Sequence, residues 1–162
     1  MIKKYLKYLK IAKIDILVYR MTVVDIVAVN VAEIDYEISS EKLYNGTTKF
    51  SIFENQKFVH HSFLYKRRSI LKLLKKKGPI IGDCVTNKNY RGKSIYPFVI
   101  NKIAKKLLQD GTPEVFIIVN RDNLSSIRGI EKAGFHLFAK VKANRFLLFY
   151  FQIQITAGVN IL

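Results

Sequence analysis

Residues 79–111 constrain the fold more than any other stretch, because hydrophobic periodicity changes there across one basic, glycine-containing turn. Residues 79–86 are a short apolar run ending in the β-branched Val85 and Thr86, the composition of a buried strand. Beyond the turn, Ile95, Phe98, Val99, Ile103, Leu107 and Leu108 recur at helical spacing, with Lys102, Lys105 and Lys106 largely off that face. Ser94 stands where an N-cap is needed. Pro97 falls in the first turn, where a missing N–H costs nothing, and Gly111 ends the helix. A strand that feeds such a turn into a helix N-terminus gathers backbone N–H groups around one point, which is how proteins hold phosphate. Taken alone, the same residues also suit an ordinary strand–turn–helix joint in which Gly92 serves only the turn.

The flanking chain reads as one mixed α/β domain over residues 1–162. Residues 1–13 alternate lysines with Tyr5, Leu6, Tyr8, Leu9 and Ile11. As a helix this segment is basic and amphipathic, suited either to an anionic membrane surface or to packing on the domain with its lysines outward. Residues 14–31, rich in Val and Ile, are expected to hold one or two strands. Residues 35–45 are polar and read as helix or loop, closing at the turn signal Asn45-Gly46. Residues 47–54 and 57–65 flank Asn55-Gln56, the pattern of a two-residue hairpin. Residues 66–77 hold seven basic side chains and no acidic one around Ile70, Leu71, Leu73 and Leu74, a short amphipathic segment. Residues 114–120 form a compact strand. Asn123 caps a second helix with Ile127, Ile130 and Ala133 on one face and Gly134 at its end. Residues 135–141 and 146–155 read as closing strands, and the tail from 156 carries no signal.

A formal net charge of +16 favours anionic partners. The single cysteine, Cys84, excludes an internal disulfide framework. Asp15, Arg20 and Asp25 interrupt the most apolar N-terminal region, so no run of apolar residues is long enough to span a bilayer, and no secretory leader is evident. The expectation is a cytoplasmic protein, with peripheral contact to the inner membrane face through residues 1–13 left open. No metal-ligand spacing is present. The basic block at 66–77 has no recognised nucleic-acid motif beside it, which argues against nucleic acid as partner.

Two segments resemble the GNAT superfamily of acyl-CoA-dependent N-acyltransferases. Val85 followed by Tyr90-Arg91-Gly92-Lys93-Ser94-Ile95-Tyr96 is similar to the family's pyrophosphate loop, Arg/Gln-x-x-Gly-x-Gly/Ala. Asn120-Arg121-Asp122-Asn123-Leu124-Ser125-Ser126, running on to Ile130-Glu131-Lys132-Ala133-Gly134-Phe135, is similar to its later block, where Asn opens a helix ending in Glu-Lys-x-Gly-Phe. The resemblance covers residues 79–150, the expected acyl-CoA-binding core. It implies a central mixed sheet, splayed at its middle and flanked by helices. Cys84, Val85 and Thr86 then lie along the pantetheine arm of acetyl-CoA. Amides of Arg91, Gly92, Lys93, Ser94, Ile95 and Tyr96 hold the pyrophosphate, and Asn120, Asn123 and Ser126 face the arm. Ser94 and Tyr96 depart from the family's preference for small residues, since a Cβ there can crowd the diphosphate. The tyrosine that often protonates the leaving thiolate falls at Ile130.

The implied activity is acetyl transfer from acetyl-CoA to a primary amine by direct attack on the thioester. That needs a neutral amine, a polarised carbonyl and a proton for the thiolate. A backbone N–H near Val85 is the expected carbonyl donor, Asp83 or His60 the candidate base, and Tyr96, Ser126 or solvent the replacement acid. Cys84 reads as a small core residue rather than a nucleophile. The Tyr96 loop variant, with the Ile-Tyr-Pro it belongs to, is similar to GNAT proteins of bacterial envelope-polysaccharide pathways, which makes an amino sugar the first acceptor expected. A homodimer is compatible with this reading. Two alternatives stay open: a catalytically silent CoA-binding module, and a basic nucleic-acid- or membrane-surface-binding protein.

Overall fold

The computed structural model describes residues 10–28, 35–66 and 69–158. Strand β1 (Ala12–Thr22) runs straight into a short helix, α1 (Val23–Ala28). The Thr22 N–H and hydroxyl both donate to Asp25 Oδ2, at 2.6 and 2.8 Å, which closes the first helical turn. Then come β2 (Ser39–Lys42), β3 (Thr48–Glu54), β4 (Lys57–Tyr65), α2 (Ser69–Leu73) and β5 (Ile80–Thr86). A 3-10 turn at Lys88–Tyr90 leads to α3 (Ile95–Gln109), followed by β6 (Glu114–Asn120), α4 (Leu124–Lys132), β7 (His136–Phe146) and β8 (Phe149–Ala157).

The eight strands make one mixed sheet in the order β2-β3-β4-β5-β6-β1-β7-β8. The hairpin β3–β4 turns at Asn55-Gln56 with φ of 49° and 64°, the left-handed pair that a type I′ turn requires. β1 lies inside the sheet, antiparallel to β6 on one side and β7 on the other, with Ile16 opposite both Asn120 and Val141. It is covered on both faces, so Leu17, Val18 and Tyr19 are buried in succession and the strand reads as a continuous apolar run.

One core cluster fills the face under α1, α3 and α4, where Tyr19, Met21, Phe98, Val99, Ile103, Ile130 and Phe135 meet. The stripe on α3 buries as its spacing requires, each large side chain contributing about 1.5–3 kcal/mol. A second cluster lies on the opposite face, where Ile70 and Leu71 of α2 cover Ile16, Val18, Ile80, Phe116 and Val141. Among the described strands β5 and β6 are the only parallel neighbours, paired at Ile80–Phe116 and Ile81–Ile117. Beyond Ile81 the two strands diverge. The sheet is therefore splayed at its middle, as the resemblance implies.

Several sequence expectations need correction. Residues 35–45 contain strand β2, which pairs with β3 through Ser39–Ser51 to Lys42–Thr48. All four of its residues are exposed, so no apolar alternation marked it. Residues 14–31 hold part of one strand and a helix, with 29–31 outside the described residues. Of the N-terminal segment, 1–9 lie outside the described residues, and Ala12 and Lys13 belong to β1 rather than to a helix. β7 runs to Phe146 because the chain reverses at Leu147-Leu148, a pair with no turn chemistry, although Leu147 adopts φ 54°. No helix among the described residues is long and apolar enough to cross a membrane.

Candidate functional site

The splay opens onto a cavity of about 550 Å³ between the end of β5, the N-terminus of α3 and the first turns of α4. Of the residues expected to hold the acyl donor, Cys84, Val85, Thr86, Arg91, Gly92, Ser94, Ile95, Tyr96, Asn123 and Ser126 line it. Lys93 and Asn120 do not. Lys93 is exposed in the loop, its ammonium 5.2 Å from the Tyr90 ring, and Asn120 ends β6 with its carbonyl receiving the Asn123 N–H at 3.0 Å.

The loop is open to solvent at Arg91, Gly92 and Lys93. The first helical bond of α3 runs from Phe98 N–H to Ser94 carbonyl at 3.2 Å, so the amides of Ile95 and Tyr96 lie ahead of the ladder, and Pro97 has none to lose. Gly92 has φ +80° and no atom within 4 Å of where a Cβ would stand, which leaves room above the loop. Ser94 is the N-cap residue but makes no capping bond. It sits at φ 59°, ψ 15°, the left-handed region. Glycine suits this position because of its backbone, beyond any crowding of a diphosphate by Cβ. The Ser94 hydroxyl accepts instead from Lys132 Nζ at 2.6 Å, which draws an ammonium from the end of α4 to the mouth of the loop.

At the other end of the loop Arg91 folds back, Nε donating to the Thr86 carbonyl at 3.2 Å. The Asn87 N–H donates to Val59 carbonyl of β4 at 2.9 Å. By the two-residue alternation of a strand, the Val85 amide points toward β4 as well, and those of Cys84 and Thr86 point toward the opening. The carbonyl donor expected near Val85 thus shifts to its neighbours.

On α4, Asn123 caps the helix by accepting the Ser126 N–H at 3.2 Å, and it also accepts from the Ser125 hydroxyl. Gly129 then leaves the space that the Tyr96 ring takes: a Cβ at Gly129 would stand 2.5 Å from Tyr96 Cδ1. Tyr96 has no hydrogen-bond partner among the described residues, yet none of their buried side-chain polar atoms is left unpartnered, so its hydroxyl opens on the cavity. Burial pushes its pKa up, and the nearby Cys84 thiol adds to this, keeping the phenol protonated. Ile130, where the family's acid would fall, is wholly buried in the core.

The two expected bases lie outside the lining. Asp83, at φ 48°, is exposed and accepts a hydrogen bond from the Tyr65 hydroxyl. His60 is sealed behind the wall, Nδ1 at 2.8 Å from Thr86 Oγ1 and Nε2 at 2.8 Å from Ser62 Oγ, so it reaches the cavity only through the residues it touches, Thr86 directly among them. Burial and then the neighbouring His61 hold its pKa down to about 4. Desolvation pushes the Cys84 thiol up to about 12, with the Ser62 hydrogen bond working against this, so it is no thiolate nucleophile. Among the described residues no cluster of His, Cys, Asp or Glu could hold a metal ion.

Ser62, Gly129 and Lys132 escaped the sequence reading as site residues. Gly129 and Lys132 lay inside the matched block, but nothing in their spacing tells that one makes room for a ring and the other reaches the loop.

No family profile matches the sequence, and no curated protein matches it. The fold has a solved counterpart, described as an acetyltransferase from the GNAT family of Colwellia psychrerythraea, with a TM-score of 0.60 and 14% identity. The match covers 85% of this chain and 57% of the other, so this chain spans little more than half the length of that structure. At such identity the likeness is one of architecture, and in architecture this chain is a GNAT-type α+β domain built on a single mixed sheet.

Proposed function

We propose that the protein is an acetyl-CoA-dependent N-acetyltransferase. The observation that carries this reading is the splay of β5 from β6, which opens beside a left-handed loop at the N-terminus of α3. An extended chain bearing amides fits the unpaired edge of β5, and a diphosphate fits the amides and lysines at the loop. Gly92 supplies the positive φ that the loop needs and leaves open space beside it. The acyl donor supplies an activated thioester; this chain's residues bind it, orient it and manage the protons.

The amides of Cys84 and Thr86 face the opening and are placed to polarise the thioester carbonyl. Tyr96, kept protonated by its burial and opening on the cavity, is placed to donate to the leaving thiolate. It enters from α3, whereas the family's tyrosine would come from the place of Ile130. Among the described residues no Asp, Glu or His lines the cavity, so in this reading the acceptor enters as the neutral amine and releases its proton to water. The acceptor we propose is an amino sugar, on the resemblance of the Tyr96 loop variant.

Calorimetry with acetyl-CoA tests the donor: saturable binding in the micromolar range is expected, and none at millimolar ligand would end the reading. A thiol-release screen tests the acceptor. Turnover of peptides and no amino sugar would remove that choice, while tight CoA binding with no turnover on any amine would leave a silent CoA-binding module.

A further inference from the structure

Behind the cavity wall runs a file of four hydrogen bonds whose direction follows from counting protons. The Cys84 thiol has one hydrogen and donates it to the Gly82 carbonyl, 3.5 Å away. The 3.1 Å contact between Ser62 Oγ and Cys84 Sγ therefore takes its hydrogen from Ser62. With that proton committed, Ser62 can only accept from the imidazole, and His60 must carry its hydrogen on Nε2, 2.8 Å from Ser62 Oγ. Nδ1 is then bare and accepts from Thr86 Oγ1 at 2.8 Å. The count assumes a neutral ring, and burial secures one by holding the His60 pKa down to about 4.

The consequence appears at Thr86, which lines the cavity. A threonine hydroxyl ordinarily rotates between donating and accepting. This one has its proton held by His60, so lone pairs are all it has left to offer a ligand in the cavity. It disfavours a ligand carbonyl and favours a ligand donor.

We propose that Thr86 Oγ1 receives an N–H group of the bound substrate, and that His60, Ser62 and Cys84 are positioning residues that keep the hydroxyl in its receiving state. The assignment rests on the acyl-transfer reading and deepens it. Two N–H groups of that reaction meet the requirement, an amide of the acyl donor's arm and the acceptor amine, and the experiment separates them.

Nitrogen NMR of the full chain with labelled histidine, the His60 signals assigned against a His60→Asn variant, reads the tautomer directly. A hydrogen on Nε2 and a bare Nδ1, unchanged between about pH 5 and about pH 8, are expected from the depressed pKa. A hydrogen on Nδ1 overturns the proposal whatever the activity. Thr86→Val then removes the hydroxyl at nearly constant shape, and Thr86→Ser restores it. If the donor arm supplies the N–H, Thr86→Val weakens CoA binding in calorimetry about tenfold, the worth of one hydrogen bond, and serine recovers it. If the amine supplies it, CoA affinity stays and the KM for glucosamine rises by about that factor. Thr86→Val equal to wild type in both measurements overturns the proposal. Ser62→Ala, which removes no cavity-lining group, should shift the same parameter in the same direction by releasing the ring to flip. A wild type that binds no CoA and acetylates no amine ends the acyl-transfer reading and this assignment with it. An active wild type with an indifferent Thr86→Val ends only the assignment.

Discussion

Ser94 holds a left-handed backbone at the threshold of α3, where any Cβ is strained. Ser94→Gly should therefore stabilise the fold by about 1 kcal/mol, read as a higher urea midpoint at unchanged slope. The hydrogen bond from Lys132 is exposed and its loss should subtract little. His60 makes the opposite kind of statement. Its folded pKa is depressed to about 4, so the unfolded chain binds the extra proton first as the medium acidifies. Its stabilising effect is complete above about pH 6.5 and is lost as pH falls toward 4, worth roughly 3 kcal/mol. Between about pH 7 and about pH 4, wild type should lose roughly that much more unfolding free energy in urea than His60→Asn. Equal losses would mean that the ring is reached by water in the folded state.

At the scale of elements, the joint between α3 and α4 turns on Tyr96 against Gly129. In Gly129→Ala the new methyl would stand 2.5 Å from the ring, so Tyr96 must swing into the cavity. The expected result is a loss of CoA affinity of about tenfold or more with only a modest fall in stability, measured by calorimetry and thermal unfolding. Tyr96→Phe keeps the ring and removes the acid. It should leave CoA affinity within about twofold and lower kcat by about 10- to 100-fold, less than the usual range for acid catalysis because thiolate leaves readily.

Much of this architecture is legible along the chain wherever local chemistry decides the outcome. Asn55-Gln56, Pro97, Gly111, Asn123 and Gly134 occupy the turn, first-turn and cap positions that their side chains or backbones favour, and the strands and helices between them have the expected order. Legibility fails where pairing is nonlocal or made by backbone alone. β2 shows no alternation because none of it is buried, and the chain reverses at Leu147-Leu148 without a turn residue. The site follows the same rule. The loop could be read from Gly92 onward, whereas the contacts of His60 with Ser62 and Thr86 depend on the register of β4 against β5, which no local signal fixes.

Over the whole molecule, a surplus of sixteen positive charges makes a field that acts before contact. Raising NaCl from about 50 to about 500 mM should slow CoA association about tenfold and change dissociation little, as stopped-flow mixing would record. Not every lysine near the basic block is spare. Lys76 is 3.0 Å from Glu114, which also meets Arg20 at 3.5 Å, so charge removal at Lys76 would disturb an ion-pair network as well as the field. The position of β1 has a different consequence. It leaves the ribosome before either neighbour has been made, and its slot closes only after β6 and then β7, through Phe146, have emerged. Until then Leu17, Val18, Tyr19 and Met21 have no sheet to enter, and two open strand edges await them. Translation order and assembly order thus run against each other in this chain, which makes the newborn polypeptide, rather than the finished protein, the stage most exposed to aggregation.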